Sequence, residues 1–208
     1  MSLFVKLCGI RTESDVAGAI KAGANAVGFV LSASPRRVDI SEAARLADLV
    51  SHEMLTVAVF HRPGPRLLAE TGEVLDPDLY QAEPHTLVGV PADRMLPVVV
   101  DGPGLGDRVG EALERSARGM VLVDRAARGG TGRGPDWDRV AALESRDRVI
   151  LAGGLTPDNV AEAVHRVRPL GVDVSSGIER APGEKDPGLM IGIVAAARAA
   201  MERGEAVR

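Results

Sequence analysis

Two stretches late in the chain carry residue types suited to chemistry: Leu151-Ala-Gly-Gly-Leu-Thr-Pro-Asp-Asn-Val160 and Val172-Asp-Val-Ser-Ser-Gly-Ile178. Each is a short apolar run that breaks into small, backbone-exposing residues. Gly153 and Gly154 have no Cβ, so the main chain there can approach a ligand closely. Thr156 is placed to cap a helix opening at Pro157, which would aim free N–H groups and a positive helix end at an anion. The usual anion is a phosphate. Ser175, Ser176 and Gly177 repeat the pattern after the next apolar run. Two such exits in succession imply a phosphorylated small molecule held between neighbouring strands.

Four further side chains could act on that molecule. Cys8 ends the first apolar run beside Gly9 and shares a strand face with Lys6, because strand residues alternate in facing. A thiolate there would serve as a general base if a neighbouring cation or helix end lowered its pKa; a free cysteine is otherwise a small buried hydrophobe. Asp124 ends the run Met120-Val-Leu-Val and precedes Gly129-Gly130-Thr131-Gly132, which reads as a flap or ligand cradle. Pro35 fixes a turn that directs Arg36 inward, where a guanidinium could hold a planar carboxylate through two parallel hydrogen bonds. Asp173 shares a face with Ser175. A carboxylate within a dry strand layer is costly, so it should meet ligand hydroxyls or a cation.

These residues need a scaffold that gathers strand ends. Eight apolar runs recur, at 3–7, 26–31, 55–60, 78–81, 96–100, 120–123, 149–151 and 172–174. Helical patterns lie between most of them, at 13–22, 42–50, 66–71, 107–117, 137–143 and 157–167, with a last one at 187–201. Alternating strands and helices predict a parallel sheet, and eight units predict a single-domain α/β protein, a closed (β/α)8 TIM barrel over residues 1–208; an open doubly wound sheet is the rival. The fourth helix, around Pro84–Pro91, must be short or irregular. In such a barrel the active site collects at the C-terminal strand ends, and phosphate sites at the last two.

Composition narrows the partners. Aromatics are 2% of residues, which argues against base stacking on single-stranded nucleic acid, and a net charge of −4 with mixed signs gives no footprint for a polyanion. One cysteine excludes an internal disulfide. No cluster has metal-ligand spacing and no dinucleotide fingerprint occurs, so no metal and no cofactor are expected. The opening Met1–Asp15 has no signal-like apolar stretch, and no run approaches a membrane span; a cytoplasmic monomer or homodimer is expected. Histidines 52, 61, 85 and 165 read as surface residues, with His85 the one to watch.

Along nearly its whole length the chain resembles the phosphoribosylanthranilate isomerase family of tryptophan biosynthesis. The matching segments are Val5-Lys-Leu-Cys-Gly-Ile10, Ala22-Gly-Ala-Asn-Ala-Val-Gly-Phe29, Ser34-Pro-Arg36, Gly129–Gly132 with Asp136-Trp137, Ala152–Val160, and Val172–Glu179 followed by Pro182-Gly183 and Lys185-Asp186. The resemblance implies a small barrel that performs an Amadori rearrangement without metal or cofactor. It makes Cys8 the general base and Asp124 the general acid. Arg36 becomes a contact for the anthranilate carboxylate, Asp173 a sugar-side contact, and Gly153, Gly154, Ser175 and Ser176 phosphate-loop residues. Histidine-pathway isomerases share the architecture but use an acid where this chain has Cys8. One departure stands out: the family usually carries Gln-Leu-His-Gly at the tip of strand four, and this chain has Leu79-Tyr-Gln-Ala-Glu-Pro84, with Gln81 a partial replacement. Arg37 also stands where an aromatic is common. The alternatives left open are a paralogous barrel for another amino-sugar phosphate, and a sugar-phosphate binder without turnover.

Overall fold

A computed structural model describes residues 3–125 and 135–205. The glycine loop at 129–132 lies outside them. The eight aliphatic runs form eight parallel strands: β1 Phe4–Cys8, β2 Ala26–Val30, β3 Leu55–Val59, β4 Leu79–Ala82, β5 Met95–Val100, β6 Val121–Asp124, β7 Val149–Ala152 and β8 Gly171–Val174. They pair in chain order, and the ring closes because β1 also pairs with β8, Phe4 opposite Gly171 and Lys6 opposite Asp173. This closure rules out the open sheet. Among the described residues seven helices follow strands: α1 Glu13–Ala22, α2 Ile40–Ala47, α3 Pro65–Val74, α4 Leu105–Arg115, α5 Trp137–Ala141, α6 Val160–Val167 and α7 Pro187–Glu205. A two-stranded antiparallel hairpin, β9 Glu179–Ala181 and β10 Glu184–Lys185, lies between β8 and α7.

The period-two facing of the strands divides the core into two layers. Ala26, Val57, Leu79, Leu96, Leu122 and Ile150 fill the barrel interior, while Val5, Leu7, Val27, Phe29, Val123 and Leu151 pack outward under the helices. Branched aliphatic side chains suit strands buried on both faces, which is why so few aromatics suffice. Short strands set the positions of the functional groups, since only the last interior-facing residue of each reaches the mouth.

Local signals decide several boundaries. In α1 the Thr12 hydroxyl accepts from the Asp15 amide at 3.1 Å while the Asp15 carboxylate accepts from the Thr12 amide at 3.1 Å, a reciprocal cap, and Gly23 ends the helix with φ 74°. Helix α2 starts earlier than the pattern suggests and stops at Ala47, because Leu49 and Val50 donate to residues three positions back and the chain tightens into turns. The fourth crossover has no α-helix: two short 3-10 turns, Pro84–Thr86 and Ala92–Arg94, take its place. The outward face of β4 is covered instead by the Arg94 guanidinium, 5.4 Å over the Tyr80 ring.

The last helix of the phosphate-type motif departs from expectation. Helix α6 begins at Val160, not Pro157, and Thr156 does not cap it through its side chain. The Thr156 carbonyl accepts from the Asn159 and Val160 amides, forming a turn first. Asn159 does the tying: its Oδ1 accepts from the Thr156 amide at 2.8 Å and its Nδ2 donates to the Gly154 carbonyl at 2.9 Å. An Asx side chain bonded to its own loop offers the backbone a turn in place of another helical residue.

Candidate active site

A cavity of about 490 Å³ opens at the C-terminal strand ends. Cys8, Arg36, Asp124 and Asp173 line it, together with Gly153, Gly154, Ser175 and Ser176. The barrel thus brings these eight residues, named from the sequence as catalytic or substrate-binding candidates, to the walls of a single cavity. Glycine accounts for the floor of the β7 loop, where Gly153 and Gly154 have φ of 88° and 64°, a region that L side chains rarely enter.

On β1, Lys6 and Cys8 point inward. Lys6 is 0% exposed, and its ammonium donates to Asp173 Oδ1 at 2.7 Å across the β1–β8 seam. The cation demanded by Asp173 is therefore supplied by the barrel itself. Burial works to lower the pKa of this ammonium, but the Asp173 carboxylate and the Cys8 sulfur leave it raised. Burial pushes the Cys8 thiol up, and Lys6 is the largest influence pulling it back. The Ser175 hydroxyl donates to the Cys8 carbonyl at 3.2 Å and ties the β8 tip to the β1 tip.

Asp124 lies three strands around the ring from β1, at the end of β6. It is 8% exposed, and its Oδ1 accepts from the Arg125 amide at 2.6 Å. A carboxyl and a thiol facing one cavity from separate strands can move protons at two different atoms of one ligand.

Arg36 reaches the cavity as expected, and its fork is engaged within the protein. Its Nε and Nη2 each donate to one Glu179 oxygen at 2.7 Å. Lys185, buried beneath, donates to Glu179 Oε1 at 2.8 Å and to the Ser175 carbonyl at 2.9 Å. Burial acts to raise the Glu179 carboxyl, yet the hydrogen bonds from Arg36 and Lys185 hold it below its usual value. Burial lowers the Lys185 ammonium. The β9–β10 hairpin thereby fixes the loop after β2 to the loop after β8.

Sequence reasoning passed over four of these groups. Glu179 and Lys185 sit in a quoted motif with no role given, because nothing local tells that they face Arg36. Lys6 shows in the sequence only as a neighbour of Cys8, because its partner Asp173 lies on the last strand. The histidines need correcting: His61 lines the strand-end cavity, with Nδ1 buried and without a hydrogen-bond partner among the described residues, whereas His85 lies on an outer turn 3.4 Å from Glu83. Phe60, the residue before it, is an outward core residue, and alternation from there would have flagged His61. Gln81 faces the cavity at the β4 tip, 7% exposed, and Glu83 joins it on that wall.

A closed (β/α)8 barrel with acid–base groups facing a strand-end cavity defines an enzyme built for a small-molecule substrate. Comparison with known proteins narrows this. The family model for N-(5'phosphoribosyl)anthranilate (PRA) isomerase matches residues 5–196. An N-(5'-phosphoribosyl)anthranilate isomerase of Chelativorans sp. is 38% identical, over 99% of this chain and 100% of the relative. That of Bordetella pertussis is 39% identical over 92% of this chain and 94% of its own. Among solved structures, phosphoribosyl anthranilate isomerase from Thermus thermophilus superposes with a TM-score of 0.81 at 28% identity, covering 95% of this chain and 99% of that one. A phosphoribosyl anthranilate isomerase in complex with reduced 1-(o-carboxyphenylamino)-1-deoxyribulose 5-phosphate gives 0.76 at 30% identity, with 95% and 99% covered. The chain belongs to the N-(5'-phosphoribosyl)anthranilate isomerase family.

Proposed function

We propose that this chain isomerises N-(5'-phosphoribosyl)anthranilate to 1-(2-carboxyphenylamino)-1-deoxyribulose 5-phosphate in tryptophan biosynthesis, with Asp124 as general acid and Cys8 as general base. The single observation that supports these roles is the shared cavity, which places both groups beside the glycine and serine loops after β7 and β8. Asp124 gives its proton to the furanose ring oxygen, and the ring opens to a protonated Schiff base. Cys8 then takes the proton from C2, and the electron pair moves to leave an enolamine. Tautomerisation of the enolamine gives the ketone. Acid and base help of this kind contributes about 10² to 10⁴ in rate, and holding the open chain in place supplies more.

The remaining residues divide the substrate between them. Gly153, Gly154, Ser175 and Ser176 take the phosphate through backbone and hydroxyl donors. Arg36, oriented by Glu179, takes the anthranilate carboxylate on the guanidinium edge that Glu179 leaves over. Asp173 faces the sugar while it holds Lys6. Gln81 offers a carbonyl oxygen without a hydrogen-bond partner among the described residues, on the wall where the family usually has its histidine. A cytoplasmic location belongs to the same reading. Among the described residues, no helix is long and apolar enough to cross a membrane.

The test is loss of anthranilate fluorescence after substrate is generated in situ. Decay with the parent chain and a fall of about a hundredfold or more in Asp124→Asn and in Cys8→Ala would support the reading. No decay with a folded parent would overturn it, and would turn attention to the β4 wall and another amino-sugar phosphate. Near-full turnover by Asp124→Asn would remove the acid role.

A further inference from the structure

The proposed base is a buried thiol, and burial favours its neutral form. Something in the barrel must therefore support the thiolate that has to be present before the sulfur can accept the C2 proton. The sulfur lies beside the charged side chain two residues before it on the same strand face. Lys6 and Cys8 press on the same spot of the neighbouring strand: a Cβ on Gly28 would stand 2.9 Å from Cys8 Sγ and 3.2 Å from Lys6 Nζ. Gly28 lies opposite Cys8 in the β1–β2 register, and its φ is not positive, so the glycine is there for space and not for its backbone. Lys6 has no route to water, and Asp173 Oδ1 takes one of its three N–H donors. Its other donors lie in the interior, with the sulfur beside them.

We propose that Lys6 is a positioning residue of the active site, whose buried ammonium, anchored by Asp173 and given room by Gly28, supports the Cys8 thiolate during proton abstraction. This rests on the reading of Cys8 as base. A lone thiolate in an aliphatic barrel would be unsupported, and an ammonium without Asp173 would be a buried charge without a partner. Lys6 and Asp173 together keep a cation in place whose field the sulfur shares. The charged groups acting on the sulfur are Lys6 from β1, Asp173 from β8 and Lys185 from β10, with Asp124 from β6 and Arg36 after β2 facing the same cavity. Among them Lys6 is the largest influence favouring the anion.

The chain has one cysteine, so any thiolate signal belongs to Cys8. We would titrate the ultraviolet absorbance of the thiolate, and the rate of iodoacetamide alkylation, in the parent enzyme and in Lys6→Met. The expected result is a midpoint higher by about one pH unit or more, which is a tenfold fall in thiolate and in alkylation at fixed pH below the midpoint. The kcat/KM profile should move to higher pH by the same amount. Lys6→Met strands Asp173, so if it fails to fold the double variant Lys6→Met/Asp173→Asn replaces it. Its midpoint should still rise, because Lys6 outweighs Asp173 at the sulfur. Gly28→Ala, which forces Nζ and Sγ aside, should shift the midpoint in the same direction. An unmoved midpoint in a folded variant lacking Lys6 overturns the role given to Lys6, whatever happens to turnover. Full turnover in Cys8→Ser would instead overturn the base reading itself.

Discussion

Gly177, in the turn after β8, lies so close to Leu155, in the loop after β7, that a Cβ on the glycine would stand 1.8 Å from the Leu155 carbonyl oxygen. The two loops assigned to the phosphate are thus one packed unit. Gly177→Ala must push them apart, since the obstacle is backbone and cannot rotate away. We expect KM for the phosphorylated substrate to rise about tenfold or more, roughly 1.4 kcal/mol, with a smaller change in kcat. Inorganic phosphate should weaken as a competitive inhibitor in parallel. An unchanged KM would place the phosphate elsewhere.

Glu179 holds Arg36 through both carboxylate oxygens, so Glu179→Gln keeps the shape and removes the charge. Hydrogen bonds to charged groups are worth about 1.5–3 kcal/mol, and losing one should loosen the guanidinium. The expected outcome is a roughly tenfold rise in KM with kcat largely kept. In a double-mutant cycle with Arg36→Ala the two changes should not add, because both act through the same guanidinium. Simple additivity in steady-state kinetics would separate Glu179 from substrate binding.

Stability should fall on both sides of a neutral plateau. The Glu179 carboxyl is held low in the folded state, so the unfolded chain binds more protons in mild acid; this contribution is present above the ordinary carboxylate value of about 4.3 and is lost as pH falls through the lowered value. Cys8 and Lys6 are raised, so their contributions are present below about 8.5 and 10.4 and are lost as pH rises through the folded values. Lys185 is lowered and acts the other way on the alkaline side. Melting temperatures across pH would check this. Glu179→Gln should flatten the acid flank and Cys8→Ala part of the alkaline one.

Ile150 is fully buried in the barrel interior. Ile150→Ala should cost about 2–5 kcal/mol by denaturant unfolding, because the ring of strands cannot collapse onto the space. Val88→Ala, at a residue 64% exposed on the outer turn, should change stability by less than about 0.5 kcal/mol. Equal losses at the two sites would contradict the layered core.

The sequence by itself determined the elements and the identity of the groups that reach the mouth. Alternation in Val5-Lys-Leu-Cys8 is local, and so are the Thr12 cap and the Gly23 stop, which is why α1 was legible to the residue. The glycine and serine exits after β7 and β8 were legible as backbone-exposing turns for the same reason, and both line the cavity. What only the tertiary structure decided are the partnerships. Lys6 and Asp173 are 167 positions apart, and Arg36 and Glu179 are 143 apart. Both pairs meet because closure of the barrel brings the strand and loops of one end of the chain beside those of the other. The same holds for His61 against His85, since one follows a strand into the mouth of the ring and the other sits on an exposed turn outside it. Local pattern fixes which way a side chain points; only the closed ring fixes what it meets there.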